Sequence, residues 1–174
     1  MPEFQAMGVI AELMAIAART APKAAGKDFI ELKILQGETL EELAAAMIRY
    51  GQESGKKNFD RDGENVRRSD AVLLVGLKNA AKTGLDCGAC GVPRCADLEK
   101  LHDGPEFAGP ICAWRLMDLG IALGSAAKMA GMLNADNRIM YRIGVVARKM
   151  GLMDADVIAG IPIAATGKNI YFDR

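Results

Sequence analysis

The sequence predicts one α+β domain in which helices surround a central sheet and a cysteine-containing loop is inserted. Segments with helical periodicity alternate with short apolar runs, and no low-complexity linker or internal repeat divides the chain. A length of 174 residues with 51% hydrophobic residues suits one domain with a sizeable core. All four cysteines lie between positions 87 and 112, which indicates one site.

The amino-terminal part is predicted to hold a helix, a strand and a second helix. Apolar residues at helical spacing predict the first helix from about Glu3 to Thr20, closed by Pro22. The segment from Phe29 to Leu35 is predicted as a strand. The sequence Thr39 to Glu42 matches a capping box and predicts the start of the second helix. Residues 51–70 are polar and contain glycine, which favours a surface excursion.

The carboxy-terminal part alternates strands with helices. Residues 71–77 read AVLLVGL, which predicts a buried strand leading to the cysteines. A helix from about Ala113 to Leu133 has little polar surface, so we expect it to be largely buried, with small residues suited to a helix or dimer contact. Another helix is predicted from about Asn137 to Met150, with Gly151 as a left-handed C-cap. The last predicted strand spans Asp156 to Ala164.

The cysteines Cys87, Cys90, Cys95 and Cys112 have the spacing C-x2-C-x4-C-x16-C. Four thiolates on a glycine-containing and proline-containing loop suit a soft metal or an iron-sulfur cluster. Zinc normally takes two C-x2-C pairs, and the x4 step does not supply the second. Disulfides need an oxidising compartment, whereas the start of the sequence lacks the features of a signal peptide, so we expect a cytoplasmic protein. An iron-sulfur cluster is favoured, and the alternatives are zinc, free thiols or a disulfide.

The run from Cys87 to Cys112 resembles the small [4Fe-4S] module of electron-transport complexes and of the corrinoid iron-sulfur protein of acetyl-CoA synthesis. In that module CGACG-x3-C is followed some sixteen residues later by the last cysteine. The resemblance implies one [4Fe-4S] cluster on the four cysteines. We expect residues 84–115 to form the cluster-binding loop within a single domain of residues 1–174.

Nearly everything after residue 8 resembles a family of uncharacterised prokaryotic proteins described as containing a ferredoxin domain and common in anaerobes. The matching stretches are AVLLVGLKN (71–79), GLDCGACG (84–91), DLGIALGSAAKMA (118–130), DNRIMYRIG (136–144) and GIPIAATGKNIYFDR (160–174). This resemblance implies the cluster more directly than it implies a reaction.

The order of the elements also resembles the nitroreductase fold, an α+β flavoprotein architecture that is usually an intertwined homodimer. This resemblance implies helices around a central sheet, a homodimer and a site for flavin mononucleotide (FMN). Nitroreductases have AP-S-x2-N-x-Q-P-W where this chain has Ala21-Pro22. Departures from the pattern occur at Gly26, Asp28, Phe29 and Ile30.

Several polar residues outside the cysteines are candidates for a functional role. Lys168 and Asn169 follow the last strand, where an anion nest could contact a flavin or another anion; a plain polar turn is the alternative. His102, the only histidine, is expected to be an exposed loop residue. Arg115 and Asp118 lie one helical turn apart and are expected to pair, with Arg115 moderating the cluster's negative charge.

Charge and composition limit the partners. Lys plus Arg and Asp plus Glu both number 22 and are interspersed, so the chain offers no long-range electrostatic field to nucleic acid or an anionic membrane.

We expect an iron-sulfur redox protein that transfers electrons to a redox partner protein and, with a bound flavin, acts as an oxidoreductase. Trp114 would shield the cluster from water. The alternative is a zinc-stapled, non-catalytic protein-interaction module. No catalytic residue is identified.

Overall fold

The computed structural model describes residues 2–172, and the side chains of residues 6–172. The strands are β1 (Ile30–Leu35), β2 (Ala71–Leu77), β3 (His102–Asp103), β4 (Ala108–Gly109), β5 (Asp136–Asn137) and β6 (Val157–Ala164). The helices are α1 (Pro2–Thr20), α2 (Glu38–Ser54), α3 (Phe59–Arg67), α4 (Ala113–Met132) and α5 (Tyr141–Lys149). None of the helices within residues 2–172 combines the length and apolarity that crossing a membrane requires.

A four-stranded antiparallel sheet with the order β1-β2-β6-β5 forms the centre. Strand β2 pairs with β6 from Ala71↔Ile163 to Leu77↔Val157, and β1 pairs with the other edge of β2. Every residue of β2 is buried, because helices cover both faces of the sheet. The prediction of a buried strand at 71–77 is therefore confirmed.

The two faces of the sheet pack against different helices. Val72 and Leu74 of β2 share one apolar cluster with residues of α2, α3 and α5. Leu73 and Val75 point to the other face, in a cluster with residues of α1 and α4. Alternate side chains of one strand thus enter two separate cores, which gives three layers and confirms the predicted α+β class.

Two predictions for the amino-terminal part are wrong in detail. Helix α2 begins at Glu38, and its N-cap is Gly37 with a φ of 62° and no side-chain cap, so the capping-box assignment fails. Residues 51–70 are not a surface excursion, because α2 continues to Ser54 and α3 follows with Phe59 and Val66 fully buried. Gly63 permits this packing, since a Cβ there would lie 2.9 Å from the Ala44 carbonyl oxygen.

Two predictions for the carboxy-terminal part also need correction. Helix α4 matches its predicted span within one residue, but it is not largely buried, because Leu116, Met117 and Ile121 are exposed. Helix α5 starts later than predicted, since Asp136–Asn137 pair with β6 and Met140 bridges to Gly160. The left-handed conformation predicted for Gly151 is confirmed by its φ of 67°.

Helix α5 and strand β6 approach so closely that only glycine fits at two positions. A Cβ at Gly144 would lie 1.7 Å from the Ile158 carbonyl oxygen. A Cβ at Gly160 would lie 2.2 Å from the Ile143 side chain. The contact is made in part by backbone, which cannot move aside without shifting the sheet.

Replacing Gly144 with alanine should therefore lower the free energy of unfolding by about 3 kcal/mol. The matched control is Gly120→Ala in α4, where no heavy atom lies within 4 Å of the new Cβ. That control should raise the free energy of unfolding by roughly 0.5–1 kcal/mol, because alanine favours a helix over glycine. Urea denaturation followed by circular dichroism measures both, and equal effects would contradict the close packing of α5 on β6.

Candidate metal centre

The segment of residues 78–112, here called the cysteine loop, connects β2 to α4 and is tied to the sheet through Asp156. Asn79 N–H donates to Asp156 Oδ2 at 2.6 Å, near the start of the loop. Ala108 N–H donates to the Asp156 carbonyl oxygen at 2.9 Å, near its end. Asp156 N–H in turn donates to the Leu77 carbonyl oxygen at 2.8 Å. Both ends of the loop are thereby held where β2 ends and β6 begins, in the middle of the sheet.

All four cysteines line one small cavity, here called the cysteine cavity. The remaining lining residues are Lys82, Thr83, Gly88, Val92 and Leu98. The four cysteines are free thiols, and their exposure decreases from exposed Cys87 to buried Cys112. Among residues with described side chains, no three His, Cys, Asp or Glu converge closely enough to hold a single metal ion. The four thiols therefore share one site.

Backbone turns direct the first three thiols to this cavity. Gly88 and Gly91 adopt left-handed φ values of 73° and 82°, which glycine reaches without strain. The Gly91 N–H donates to the Gly88 carbonyl oxygen at 2.9 Å and closes a tight turn around Cys90. Asp86 Oδ1 accepts a hydrogen bond of 2.6 Å from the Cys95 N–H. The loop is therefore shaped by local hydrogen bonds of its own residues.

Two N–H groups at the start of α4 donate to cysteine sulfurs. The Ala113 backbone N–H lies 3.2 Å from Cys90 Sγ, and the Trp114 indole Nε1 lies 3.2 Å from Cys87 Sγ. The pKa of the Cys87 thiol is lowered, first by a backbone N–H of Ala89 and next by the Trp114 indole. Donors of this kind stabilise sulfur in its anionic, ligating form.

Cys112 occupies the N-cap position of α4. Burial raises the pKa of its thiol, but the Thr83 backbone N–H, the Thr83 hydroxyl and the N–H groups of Trp114 and Arg115 outweigh burial and lower the pKa to about 7. The Thr83 Oγ1 lies 3.6 Å from Cys112 Sγ. The free N–H groups of a helix N-terminus favour negative charge in this position. A substantial fraction of this thiol is therefore ionised near neutral pH.

The predicted pair of Arg115 and Asp118 is confirmed as a buried ion pair with an Nη1 to Oδ2 distance of 3.0 Å. Arg115 also donates to the carbonyl oxygens of Ala24 at 2.9 Å and Ala81 at 2.8 Å. Asp118 Oδ1 accepts from the Ala24 N–H at 2.8 Å, and the guanidinium stacks over the Phe29 ring. Arg115 Nη2 is buried without a hydrogen-bond partner among the described residues. This pair joins α4, the turn after α1 and the cysteine loop.

The structure places the other candidates outside the cysteine cavity. His102 is exposed, as predicted, and its Nδ1 lies 3.2 Å from the Lys100 carbonyl oxygen. Asn169 Oδ1 accepts a hydrogen bond of 2.9 Å from the Tyr171 N–H. The Lys168 carbonyl oxygen accepts one of 2.6 Å from the Thr166 hydroxyl. These bonds are typical of a local polar turn, and the anion or flavin role of Lys168 and Asn169 stays a prediction.

Sequence reasoning missed the contributions of Thr83 and of the Trp114 indole nitrogen. Thr83 lies well before Cys112 in the sequence, and no spacing pattern indicates that its hydroxyl reaches this thiol. Trp114 was expected to exclude water, whereas its indole N–H is a hydrogen-bond donor to Cys87. Only its position two residues after Cys112, in the first turn of α4, could have suggested that it faces the loop.

Replacing Trp114 with phenylalanine keeps an aromatic ring but removes the donor to Cys87. The pKa of the Cys87 thiol should rise, so its alkylation rate at neutral pH in metal-free, reduced protein should fall. Peptide mass spectrometry resolves the four sites. The internal control is Cys90, whose donor is the Ala113 backbone and whose rate should not change. Equal slowing of both thiols would contradict a hydrogen bond from Trp114 that acts on Cys87 alone.

Replacing Asp118 with alanine should destabilise the fold by about 3 kcal/mol, because the Arg115 charge would remain buried without its counter-ion. The matched control is Asp154→Ala, which removes the partner of Lys78 at a position where the aspartate side chain is 89% exposed. That substitution should leave the denaturation midpoint unchanged, because exposed ion pairs contribute little. Similar losses in the two variants would contradict a structural role for the buried pair.

Comparison with known proteins gives both a family and a fold. Residues 108–174 match a family described as "Uncharacterized protein containing a ferredoxin domain (DUF2148)". A protein of Archaeoglobus fulgidus, named "Uncharacterized protein", is 50% identical over 167 residues and is covered to 90%, with 95% of this chain aligned.

Several nitroreductases are among the structural neighbours. Nitroreductase CinD from Lactococcus lactis, in complex with chloramphenicol, aligns with a TM-score of 0.62 at 14% identity over 96% of this chain and 84% of that one. The FMN-dependent nitroreductase NfnB from Mycobacterium smegmatis, in complex with NADPH, gives a TM-score of 0.60 at 10% identity over 92% and 78%. These values confirm the predicted nitroreductase-like fold. By its relative and its carboxy-terminal match, the chain belongs to the family of ferredoxin-domain-containing proteins.

Proposed function

We propose that this chain is an electron-transfer protein that holds one [4Fe-4S] cluster on Cys87, Cys90, Cys95 and Cys112. The observation that carries the proposal is that these four thiols, dispersed over the cysteine loop, line a single cavity. Membership in a ferredoxin-domain family supports a redox role of this kind.

The chemistry of the site fits such a cluster. Its four cysteines are sulfur donors, the ligands that iron-sulfur clusters take from proteins. All four thiols line the same cavity, as the four ligands of one cluster must. The N–H groups of Ala113 and Trp114 already point to two of the sulfurs. When bound, a [4Fe-4S] cluster accepts and releases single electrons.

The protein contributes water exclusion and charge compensation. Val92 and Leu98 supply apolar side chains to the cavity wall, and Leu98 is buried. The N-terminus of α4 faces the sulfurs with its free N–H groups, which offset negative charge. The hydrogen bonds from Trp114 and Ala113 should raise the reduction potential, because they stabilise the more negative state.

The four thiols differ in solvent exposure, and this difference favours electron exchange with a partner on the side of Cys87. Cys87 is exposed and Cys112 is buried beneath the loop. A redox partner protein should therefore approach the Cys87 side, where the path through protein is shortest. Small, transient contacts are typical of such encounters.

A more specific version of the proposal is that the chain is a flavin-dependent oxidoreductase. One structural neighbour is described as an oxidoreductase containing FMN, and another as a nitroreductase with bound FMN. For this chain FMN remains a prediction, with Lys168 and Asn169 as the candidate contacts. A homodimer is likewise proposed, by analogy with the nitroreductase fold.

The decisive experiment is purification without oxygen, followed by quantification of iron, acid-labile sulfide, zinc and flavin in one sample. The proposal requires about four iron and four sulfide per chain, as a single [4Fe-4S] cluster contains. One zinc per chain without iron would overturn it and favour the stapled interaction module. Flavin at one per chain would establish the oxidoreductase form, and sedimentation of the same sample tests the homodimer.

Replacing Cys95 with serine should remove or convert the cluster and leave far-UV circular dichroism mostly unchanged. Cys95 lies in a short 3-10 turn of the loop, away from both apolar cores. The matched control is Ala96→Ser, which adds a hydroxyl at the adjacent exposed position and should retain all the iron. Full iron content in Cys95→Ser would contradict the ligand assignment, and its global unfolding would make the cluster a folding determinant.

A further inference from the structure

An open cleft lies beside the cysteine cavity, between the turn after α1 and the first turns of α4. Its walls are residues 22–25, Leu85, Trp114, Met117, Asp118 and Ile121, and its volume is about 330 Å³. We call it the Trp114 cleft. It differs from the cysteine cavity in every lining residue.

The walls of the Trp114 cleft are apolar although they face solvent. Leu85 is 62% exposed, Met117 49% and Ile121 37%. Large apolar side chains that are grouped and exposed mark an interaction site more often than a plain surface. Pro22 and the indole ring of Trp114 add rigid apolar area to the same cleft.

The charged residues at the cleft are committed to other partners. Lys23 Nζ donates to the carbonyl oxygens of Ala18, at 3.1 Å, and Arg19. Asp118 uses one carboxylate oxygen for the Ala24 N–H and the other for Arg115. The lining residues therefore offer no uncommitted charge to a phosphate or carboxylate, so an uncharged ligand fits this cleft.

Trp114 connects the cleft to the proposed cluster. Its indole ring forms part of the cleft wall, while its Nε1 donates to Cys87 Sγ at 3.2 Å. A flat ring stacked on the indole would be separated from a cysteine ligand by one side chain. Offset stacking of aromatic rings also provides directional attraction.

We propose that the Trp114 cleft binds a flat, uncharged aromatic electron carrier of the quinone class, with its ring against Trp114. The inference rests on the proposed function, since a redox carrier has a use here only beside a cluster. Converting one quinone into its hydroquinone takes two electrons and two protons. Electrons pass singly from the Cys87 side, a low-potential one-electron donor protein resupplies them, and water at the open mouth provides the protons.

The test uses the full-length, cluster-loaded protein in its oxidised form under nitrogen. The probe is 2,3-dimethyl-1,4-naphthoquinone, whose substituted ring positions prevent addition of thiols, and binding is measured by equilibrium dialysis. We expect saturable binding of one probe per chain. Met117→Lys, which places a charge in the cleft, should weaken binding about tenfold or more.

The matched control is Met132→Lys, which places the same charge on the last turn of α4 at a residue outside the cleft. Its affinity should remain within about twofold of the parent, a change too small to indicate a lost contact. Iron is quantified in every sample, so absent binding at full iron content overturns only this inference. Absent iron overturns the proposed function instead.

Three further results would overturn the quinone proposal. The first is equal loss of affinity in both lysine variants. The second is tighter binding of FMN or riboflavin than of the quinone, measured in parallel, because the cleft would then hold a flavin. The third is a change of molecular mass by sedimentation in Met117→Lys alone, because a second copy of the chain would then cover the cleft.

Discussion

The buried guanidinium of Arg115 joins the parts of the chain that surround the cysteine cavity. It contacts the turn after α1, the cysteine loop and its own helix, and Asp118 balances its charge at 3.0 Å. A buried pair of this kind gains little net stability over an apolar pair, but it tolerates few alternative arrangements. Its contribution is therefore to fix how two irregular segments, the turn after α1 and the cysteine loop, meet the start of α4.

Helix α4 brings the site and the core together. One face packs on the sheet through small residues such as Ala122 and Ala126, while its first turn presents N–H groups to cysteine sulfurs. The outward side carries the exposed apolar residues of the Trp114 cleft. The small residues on this face allow close packing, and the apolar residues that suggested burial lie in part on the outward face.

The sequence could predict elements whose signal is local. The branched run at 71–77, the length of α4 and the convergence of four closely spaced cysteines all follow from short-range patterns. Helix α3 could not be predicted in this way, because burial of Phe59 depends on the approach of α2 at Gly63. The late start of α5 depends on pairing between β5 and β6, which are distant in sequence.

The candidate site was likewise predictable only where the signal is local. The ligand set follows from spacing, whereas the donors from Thr83 and Trp114 depend on tertiary placement. Side-chain direction at a helix start is set by packing and not by the sequence pattern. What fills the cavity between the thiols remains a proposal, as do the roles of Lys168 and Asn169.

For the proposed cluster, the difference in exposure among the four thiols would set an order of assembly. Cys112 is buried at the N-cap of α4, whereas Cys87 lies exposed at the mouth of the loop. Iron delivered from outside would pass Cys87 and be retained by the deeper thiols. Repair and loss of the proposed cluster would proceed through the same opening. Its lifetime in air would therefore depend on how often the loop segment around Cys87 moves outward.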